Sequence, residues 1–410
     1  MNYSDYLAEF NSKKAVSRLF AYYRGEHDIL RRGGKKTLPN NKLVNAFPSY
    51  ITNVNIGYFL GSPVRYTSLN EEFVQELQDI FLYNDEQDEN IVLARFASIG
   101  GTAFEIVYLD EDARIRFDEV SPEHMVVIYD DKITPEPLRA IRRWQRDNVE
   151  HLEVYTKDEV IKYEKGKEIE RYFHYIGDVP VIEFPNNDDR IGDFERVMTL
   201  IDAYDKAQSN IANDFEYFSD AYLVLKNLSS TQPEDIEKMK LSRTMLIDDA
   251  GDAKWLLKDV QDSAHENFKR RLAEDIHRFS QTPNLTDESF AGNASGVALR
   301  YKLLGLEWNA SVKERKFKRA LQRRVELICN VIRMKGGRDF DWREIDIQFH
   351  RNLPQNELEQ VQIASMLKGI ISDDTLLSII PYIDDPSNEM EKIEAQGTFR
   401  LSDFEEPDEL

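Results

Sequence analysis

Residues 281–308 read Q-T-P-N-L-T-D-E-S-F-A-G-N-A-S-G-V-A-L-R-Y-K-L-L-G-L-E-W. A polar loop punctuated by Pro and Gly separates two segments whose apolar residues recur at three and four, the spacing of helices. Before the loop, Ser263 and Glu266 form a capping box that opens a helix striped by Phe268, Leu272, Ile276 and Phe279. After it, a helix is expected over 295–334, first with Val297, Tyr301, Leu304, Trp308 and Val312 on one face, then with Phe317, Leu321, Val325, Ile328 and Ile332 in a new phase. That shift predicts a kink or a change of packing partner near 312–316. Between Arg300 and Lys335 this helix carries eleven basic residues against three acidic ones, a net +8, in a chain whose formal charge is −22.

Upstream, the polar breaker at 185–189 introduces another long helix. Phe194, Val197, Ile201, Tyr204, Gln208, Ile211, Phe215 and Phe218 step by three and four, while Asp193, Glu195, Asp202, Asp205 and Asp214 lie off the stripe and read as an acidic back. A helix on its own core and a helix packed laterally in an assembly both show this pattern. Residues 221–261 read as a small α/β insert, with strands at 221–225, 244–247 and 254–257 and a helix capped by Thr231. The turn holding Asp248, Asp249 and Asp252 lacks calcium-loop spacing and is taken as a hairpin turn.

The first 190 residues read as α+β. Helices are expected at 4–30, 41–66, 70–83 and 88–99, a hairpin at 102–109 and 114–120, and an antiparallel meander continuing through Phe184. Beyond Gly336 and Gly337 come a strand at 346–349 and a helical tail whose last part is strongly acidic.

The 410 residues, 41% of them hydrophobic, are enough for more than one compact unit. Seventy-five acidic residues against 53 basic ones argue against a protein that grips duplex DNA with its whole surface, because that grip depends on phosphates neutralised by Lys and Arg. A single cysteine, Cys329, allows no intramolecular disulfide and reads as a small apolar helix residue. No apolar run reaches the length of a membrane span, and no secretory leader is recognisable. The seven histidines lack metal-ligand spacing and read as ordinary surface or strand residues, so no metal or cofactor is expected. Gly34-Lys35-Lys36-Thr37 has Ile29 where a phosphate-binding loop requires glycine. No frame for catalysis emerges, and the protein is not expected to be an enzyme.

Three stretches, in this order, resemble portal proteins of long, non-contractile-tailed bacteriophages. They are N-K-L-V-N-A-F-P-S-Y-I-T-N-V-N-I-G-Y-F-L-G-S-P-V at 41–64, S-F-A-G-N-A-S-G-V-A-L-R-Y-K-L-L-G-L at 289–306 and G-I-I-S-D-D-T-L-L-S-I-I-P-Y-I-D-D-P at 369–386. The resemblance implies a portal-type fold and a ring, usually of twelve copies, at one vertex of the virion capsid, assembled in the cytoplasm of the host bacterium. It implies a wing at 1–191, stem helices at 192–220 and 262–280, a clip at 221–261, a tunnel loop at 281–294, a kinked helix and strand of the wing at 295–355, and a crown with acidic tail at 356–410. The implied partners are other copies of the chain, the packaging ATPase (large terminase), a head-completion adaptor, scaffold and capsid proteins, and duplex DNA, with no membrane. Stem packing then falls to Phe194, Val197, Ile201, Tyr204, Ile211, Phe215, Phe268, Leu272 and Ile276, and the clip turn to Asp248, Asp249 and Asp252.

A channel must confine DNA without holding it, which acidic and polar walls do. Asn284, Leu285, Thr286, Asp287, Glu288, Ser289 and Phe290 contain no Lys or Arg and are the expected channel contact. The alternative is a cytoplasmic nucleic-acid-binding regulator acting through the basic helix at 300–335. A charged helix pairing with acidic neighbours is the plainer account of those residues.

Overall fold

The computed structural model describes residues 3–35, 38–218, 222–226, 234, 252–256, 262–286 and 296–351, with scattered positions between 363 and 393. Two compact units emerge, one of Met1–Asn284 with Leu303–Arg351, the other of Leu285–Lys302 with Asn352–Leu410. In the first, helices α1 (Tyr3–Ala8), α2 (Lys14–Tyr23) and α3 (Phe47–Leu60) precede strand β1 (Arg65–Thr67) and helices α4 (Glu71–Tyr83) and α5 (Glu86–Gly100). Strands β2 (Thr102–Leu109), β3 (Ile115–Val120), β4 (Met125–Tyr129), β5 (Pro137–Arg146), β6 (Val149–Tyr155), β7 (Glu159–Glu164), β8 (Lys167–Phe173) and β9 (Val181–Pro185) follow. Then come α6 (Met198–Phe218), the strands β10 (Tyr222–Lys226) and β11 (Asp252–Leu256), and α7 (Asp262–Phe279). The second unit contributes α8 (Gly296–Lys302), the first unit resumes with α9 (Leu304–Met334) and β12 (Asp346–Gln348), and α10 (Asp373–Ile379) belongs again to the second.

The expected α+β class is what the chain adopts, but several boundaries moved for physical reasons. The helix expected at 4–30 is two helices joined by a 3-10 turn at Glu9–Lys13. Tyr6 and Phe10 pack on the meander, whereas Leu19, Phe20 and Tyr22 pack beside α5 and the start of α6, and one straight rod cannot serve both. Only Phe47–Leu60 of the helix expected at 41–66 is helical. Pro48 favours its first turn, and Arg65–Thr67 pairs antiparallel with β12 instead.

The meander does not continue to Phe184. Its five strands run β4-β5-β6-β7-β8, while β9 joins a separate sheet of order β3-β2-β9. Strand β2 is buried along Thr102–Val107, so both of its edges need partners, and β3 and β9 supply them. The meander is covered on both faces. Tyr155, Val160 and Ala140 meet Phe104, Ile106 and Val120 of the smaller sheet, while Ile141, Leu152, Val154 and Ile161 meet Tyr6 and Phe10.

Two glycines let the loop after β9 close against α5. A Cβ on Gly101, at φ +80°, would lie 2.0 Å from the Arg190 carbonyl oxygen, and one on Gly192 would lie 2.3 Å from that of Ile99. Backbone bonds from Asn186 N to Gly101 O (2.9 Å) and from Asp193 N to Ser98 O (2.8 Å) fasten this junction, from which α6 departs.

Helix α9 is continuous through 312–316, where a kink or change of partner was expected, and the helical run breaks at Leu303, between α8 and α9. The buried face of α9 runs Leu306, Ala310, Lys313, Phe317, Leu321, Arg324, Ile328 and Val331, an unbroken three-four stripe. It passes through Leu306 and Ala310 rather than Leu304 and Trp308, and the basic Lys313 takes the core position where the apolar spacing seemed to slip. Lys313 pairs with Asp193, and Arg324 with Glu86 and Glu105. Leu304 and Trp308, expected on the inner face, are exposed. Cys329 is buried, and burial pushes its thiol up to about 12.

One buried carboxyl has a consequence for pH. Glu89 on α5 is pushed up to about 8, first by burial, then by its hydrogen bond with Glu119 and by the charges of Glu119, Glu105 and Asp118. The folded chain therefore holds a proton that the unfolded chain releases above its ordinary value of 4.5, and stability falls as pH rises from about 4.5 to about 8. Glu89→Gln keeps the hydrogen-bonding shape without the charge. It is expected to leave the melting temperature unchanged near pH 5 and to raise it at pH 8. Identical pH slopes for the two proteins in a thermal scan would remove Glu89 as the cause.

Candidate functional site

The antiparallel neighbours α6 and α7 meet near the base of α6 and carry their stripes beyond the core. Phe194, Val197, Ile201 and Ile276 are fully buried, Leu272 nearly so, and Tyr204 and Ile211 are half-buried. Farther out the same stripes surface: Phe215 is 61% exposed and Phe268 54%, with Phe279 also exposed at the other end of α7. The sequence-derived stem residues thus divide into an inner set that builds the chain's own core and an outer set, Phe215 and Phe268, that the chain leaves uncovered.

The back of α6 is not the solvated acidic face that its composition implied. Residues 41–45 lie extended along it, and alternate backbone N–H groups donate to α6 side chains one turn apart. Asn41 N reaches Asn213 Oδ1 at 2.6 Å, Leu43 N reaches Ser209 Oγ at 2.9 Å and Asn45 N reaches Asp205 Oδ1 at 2.9 Å. Two residues of extended chain advance about 6.6 Å and four residues of helix about 6 Å, so the two repeats stay in step. Asp205 also accepts from Asn45 Nδ2 at 2.8 Å and binds His27 Nδ1 at 2.5 Å, with both acid and imidazole fully buried. His27 Nε2 meets the Tyr22 carbonyl at 3.0 Å, and its ring stacks on Tyr22. His27 is therefore no surface histidine, and Asp205 and Asp193 are not part of a solvated back.

The foot of the expected channel loop is held firmly. Thr282 is fully buried, its N–H donates to the His277 carbonyl at 3.1 Å and its hydroxyl accepts from Asn55 Nδ2 at 2.9 Å. His277 Nδ1 donates to the Thr282 carbonyl at 3.0 Å, and the Tyr50 hydroxyl donates to that of Pro283 at 2.9 Å. Burial lowers the pKa of His277, while the hydrogen bond to the Thr282 carbonyl acts in the opposite direction. Sequence reasoning missed Tyr50, Asn55 and His277, whose partners are more than two hundred positions away or hidden in backbone geometry. Asn284 ends the first unit and Leu285 and Thr286 begin the second, while Asp287, Glu288, Ser289 and Phe290 lie outside the described residues. In the insert, β10 pairs antiparallel with β11 and Asp252 stands opposite Lys226. Asp248 and Asp249, the strand expected at 244–247 and most of the tail after 351 also lie outside them.

The basic helix is largely engaged within its own chain. Lys316 pairs with Asp188, Lys318 with Asp346 at 3.0 Å, Arg323 with Asp178 at 2.7 Å, and Arg333 with Asp339 at 2.5 Å. Lys313 and Arg324 are buried in their ion pairs. Six of the eleven basic residues thus pair with acidic side chains inside the subunit. Among the described residues no group of three or more His, Cys, Asp or Glu is arranged to hold a metal, and no helix is long and apolar enough to cross a membrane.

The profile of SPP1 Gp6-like phage portal proteins matches residues 8–398. The chain belongs to this portal protein family. Its relatives include the portal protein of Bacillus phage SPP1, 25% identical over 92% of this chain and 82% of that protein. The portal protein of Clostridium phage phiCD119 is 24% identical over 92% of this chain and 91% of that one. Among solved structures, a chain in the neck of the native GTA particle, computed with C12 symmetry, superposes with a TM-score of 0.51 at 12% identity, covering 82% of this chain and 90% of its own. One in the neck of the empty GTA particle, computed with C6 symmetry, gives 0.51 at 12% identity over 87% and 95%. The portal fold is thus shared where sequence identity is low, and family membership rests on the profile.

Proposed function

We propose that this portal chain assembles with copies of itself into a ring at one capsid vertex, through which duplex DNA enters and leaves the virion. In this reading 1–191 and 295–355 form the wing, α6 and α7 the stem, 221–261 the clip, 281–294 the channel loop and 356–410 the crown. The clip would receive the packaging ATPase and afterwards the head-completion adaptor, with scaffold and capsid proteins on the outside. Energy comes from that separate motor, and the chain's own part is structural. The necks computed with C12 and C6 symmetry support a ring.

The single observation that carries the reading is the surfacing apolar seam. Phe215 and Phe268 lie on two adjacent helices and are more than half exposed. Covering one such side chain contributes roughly 1.5–3 kcal/mol, a gain a monomer forgoes and a head-to-tail ring recovers in every subunit. The loop at 284–290, without a cation and set on the foot built by Thr282 and His277, is the reading's DNA contact: fixed at its base, unable to trap phosphates.

Negative-stain microscopy of the wild-type chain is expected to show rings, and Phe215→Ser with Phe268→Ser to give mostly monomers at the same concentration with an unchanged far-ultraviolet circular dichroism spectrum. A wild type that stays monomeric at every concentration, or a double variant that forms rings as readily, overturns the reading.

A further inference from the structure

Between the three-stranded sheet and the β6–β8 side of the meander lies a crevice of about 420 Å³. Asp118 stands on one wall, and Arg142 and Glu153 on the other. Glu153 is only 8% exposed. Its Oε2 accepts from the Tyr155 hydroxyl at 2.6 Å and lies 3.4 Å from Arg142 Nη1, while among the described residues no hydrogen bond reaches Oε1. At the mouth, Tyr172, Phe173 and Tyr175 are 40%, 58% and 60% exposed, an apolar rim on a strand otherwise rich in charge. Among the described residues that strand, β8, pairs only with β7, which leaves its outer edge open to an approaching chain.

We propose that this crevice docks an extended segment of a partner protein bearing arginine or lysine, with one cationic side chain seated between the aromatic rim and the Glu153 carboxylate. Four features favour that occupant over others. Two carboxylates, Asp118 and Glu153, against one guanidinium face the space, a balance that does not favour an anion or a nucleic-acid backbone. An apolar ligand would leave the Glu153 oxygen desolvated without a partner, an outcome that costs more than it gains. Ring faces attract ammonium and guanidinium groups, and Ile106, Val120 and Val160 offer an apolar wall for the methylene stem. The open edge of β8 suits an extended chain, which can add to a sheet through its backbone. A volume of about 420 Å³, at the small end of ligand sites, admits a long side chain rather than a folded element. All of its lining residues come from one chain.

The test uses the full-length chain and a fluorescein-labelled heptapeptide with arginine at alternate positions, compared with the same peptide carrying neutral, isosteric citrulline, in about 0.15 M salt where diffuse attraction is screened. Anisotropy titrations are expected to show the arginine peptide binding at least about tenfold tighter. Glu153→Gln and, separately, Tyr172→Ser should each reduce the preference to below about threefold, while the charge-matched Glu71→Gln on exposed α4 leaves it intact. Tyr172 is exposed, so its variant tests the rim without disturbing the core. Equal binding of the two peptides, a preference unchanged in Glu153→Gln and Tyr172→Ser, or one lowered equally by Glu71→Gln overturns the proposal, the last by making the attraction a property of the acidic surface as a whole.

Discussion

Arg324→Met is expected to destabilise the chain by about 3–5 kcal/mol, more than any loss of an exposed charge, because it strands two carboxylates in the core. Arg324 is fully buried. Its Nε and Nη2 both reach Glu105, the latter at 2.5 Å, and Nη1 reaches Glu86 at 3.0 Å and Asn90 at 2.9 Å. The guanidinium lies over the Phe117 ring with its centre 4.5 Å from the centroid. Burial pushes Glu105 up and Arg324 pulls it back, so without the arginine Glu105 must take a proton or sit charged in apolar surroundings. Arg324→Lys should rescue little, since a point charge cannot serve both acids and Asn90 as the planar fork does. Adding Glu86→Gln and Glu105→Gln to Arg324→Met should recover much of the loss. Urea unfolding decides: a single variant within about 1 kcal/mol of wild type would mean that α9 and α5 are joined by their apolar contacts alone.

Asp205→Ala is expected to cost about 3–4 kcal/mol, from a backbone N–H, a side-chain amide and a histidine nitrogen that lose their acceptor in a dry site. The change should also loosen residues 24–46, so that trypsin cuts faster at the exposed Arg31 and Lys35. Asp205→Asn is the informative companion. It keeps an oxygen for Asn45 and can offer its amide to His27 Nδ1 while Nε2 still donates to the Tyr22 carbonyl, so a loss of only about 1 kcal/mol is expected. Equal effects of the two substitutions in thermal melts and proteolysis would show that hydrogen-bond geometry at this position does not matter.

Much of the architecture was legible because it follows from short-range periodicity. The hairpin of β2 and β3, helices α4 and α5, and the long helices α6, α7 and α9 fall close to where the apolar spacing puts them. The misreadings share one cause. The change of phase read in α9 came from apolar residues alone, whereas the buried stripe passes through Leu306, Ala310 and the basic Lys313. The acidic back of α6 was inferred from composition, but Asp205 and Ser209 hold the backbone of a segment some 160 residues earlier. The last strand of the meander was assigned by proximity along the chain, whereas β9 goes to β2, which needs a second neighbour.

The loop at 281–308 illustrates the same division. Its polarity, its lack of cations before Arg300 and the helices on either side are properties of the sequence, and so is the family that the three quoted stretches indicate. That Thr282 is clamped by Asn55 and His277, that the basic residues beyond the loop are mostly paired within the chain, and that Phe215 and Phe268 are left bare could be decided only in three dimensions. The physical reason is that helix and strand periods are local, while the burial of a polar group depends on a partner that the chain brings from a distance.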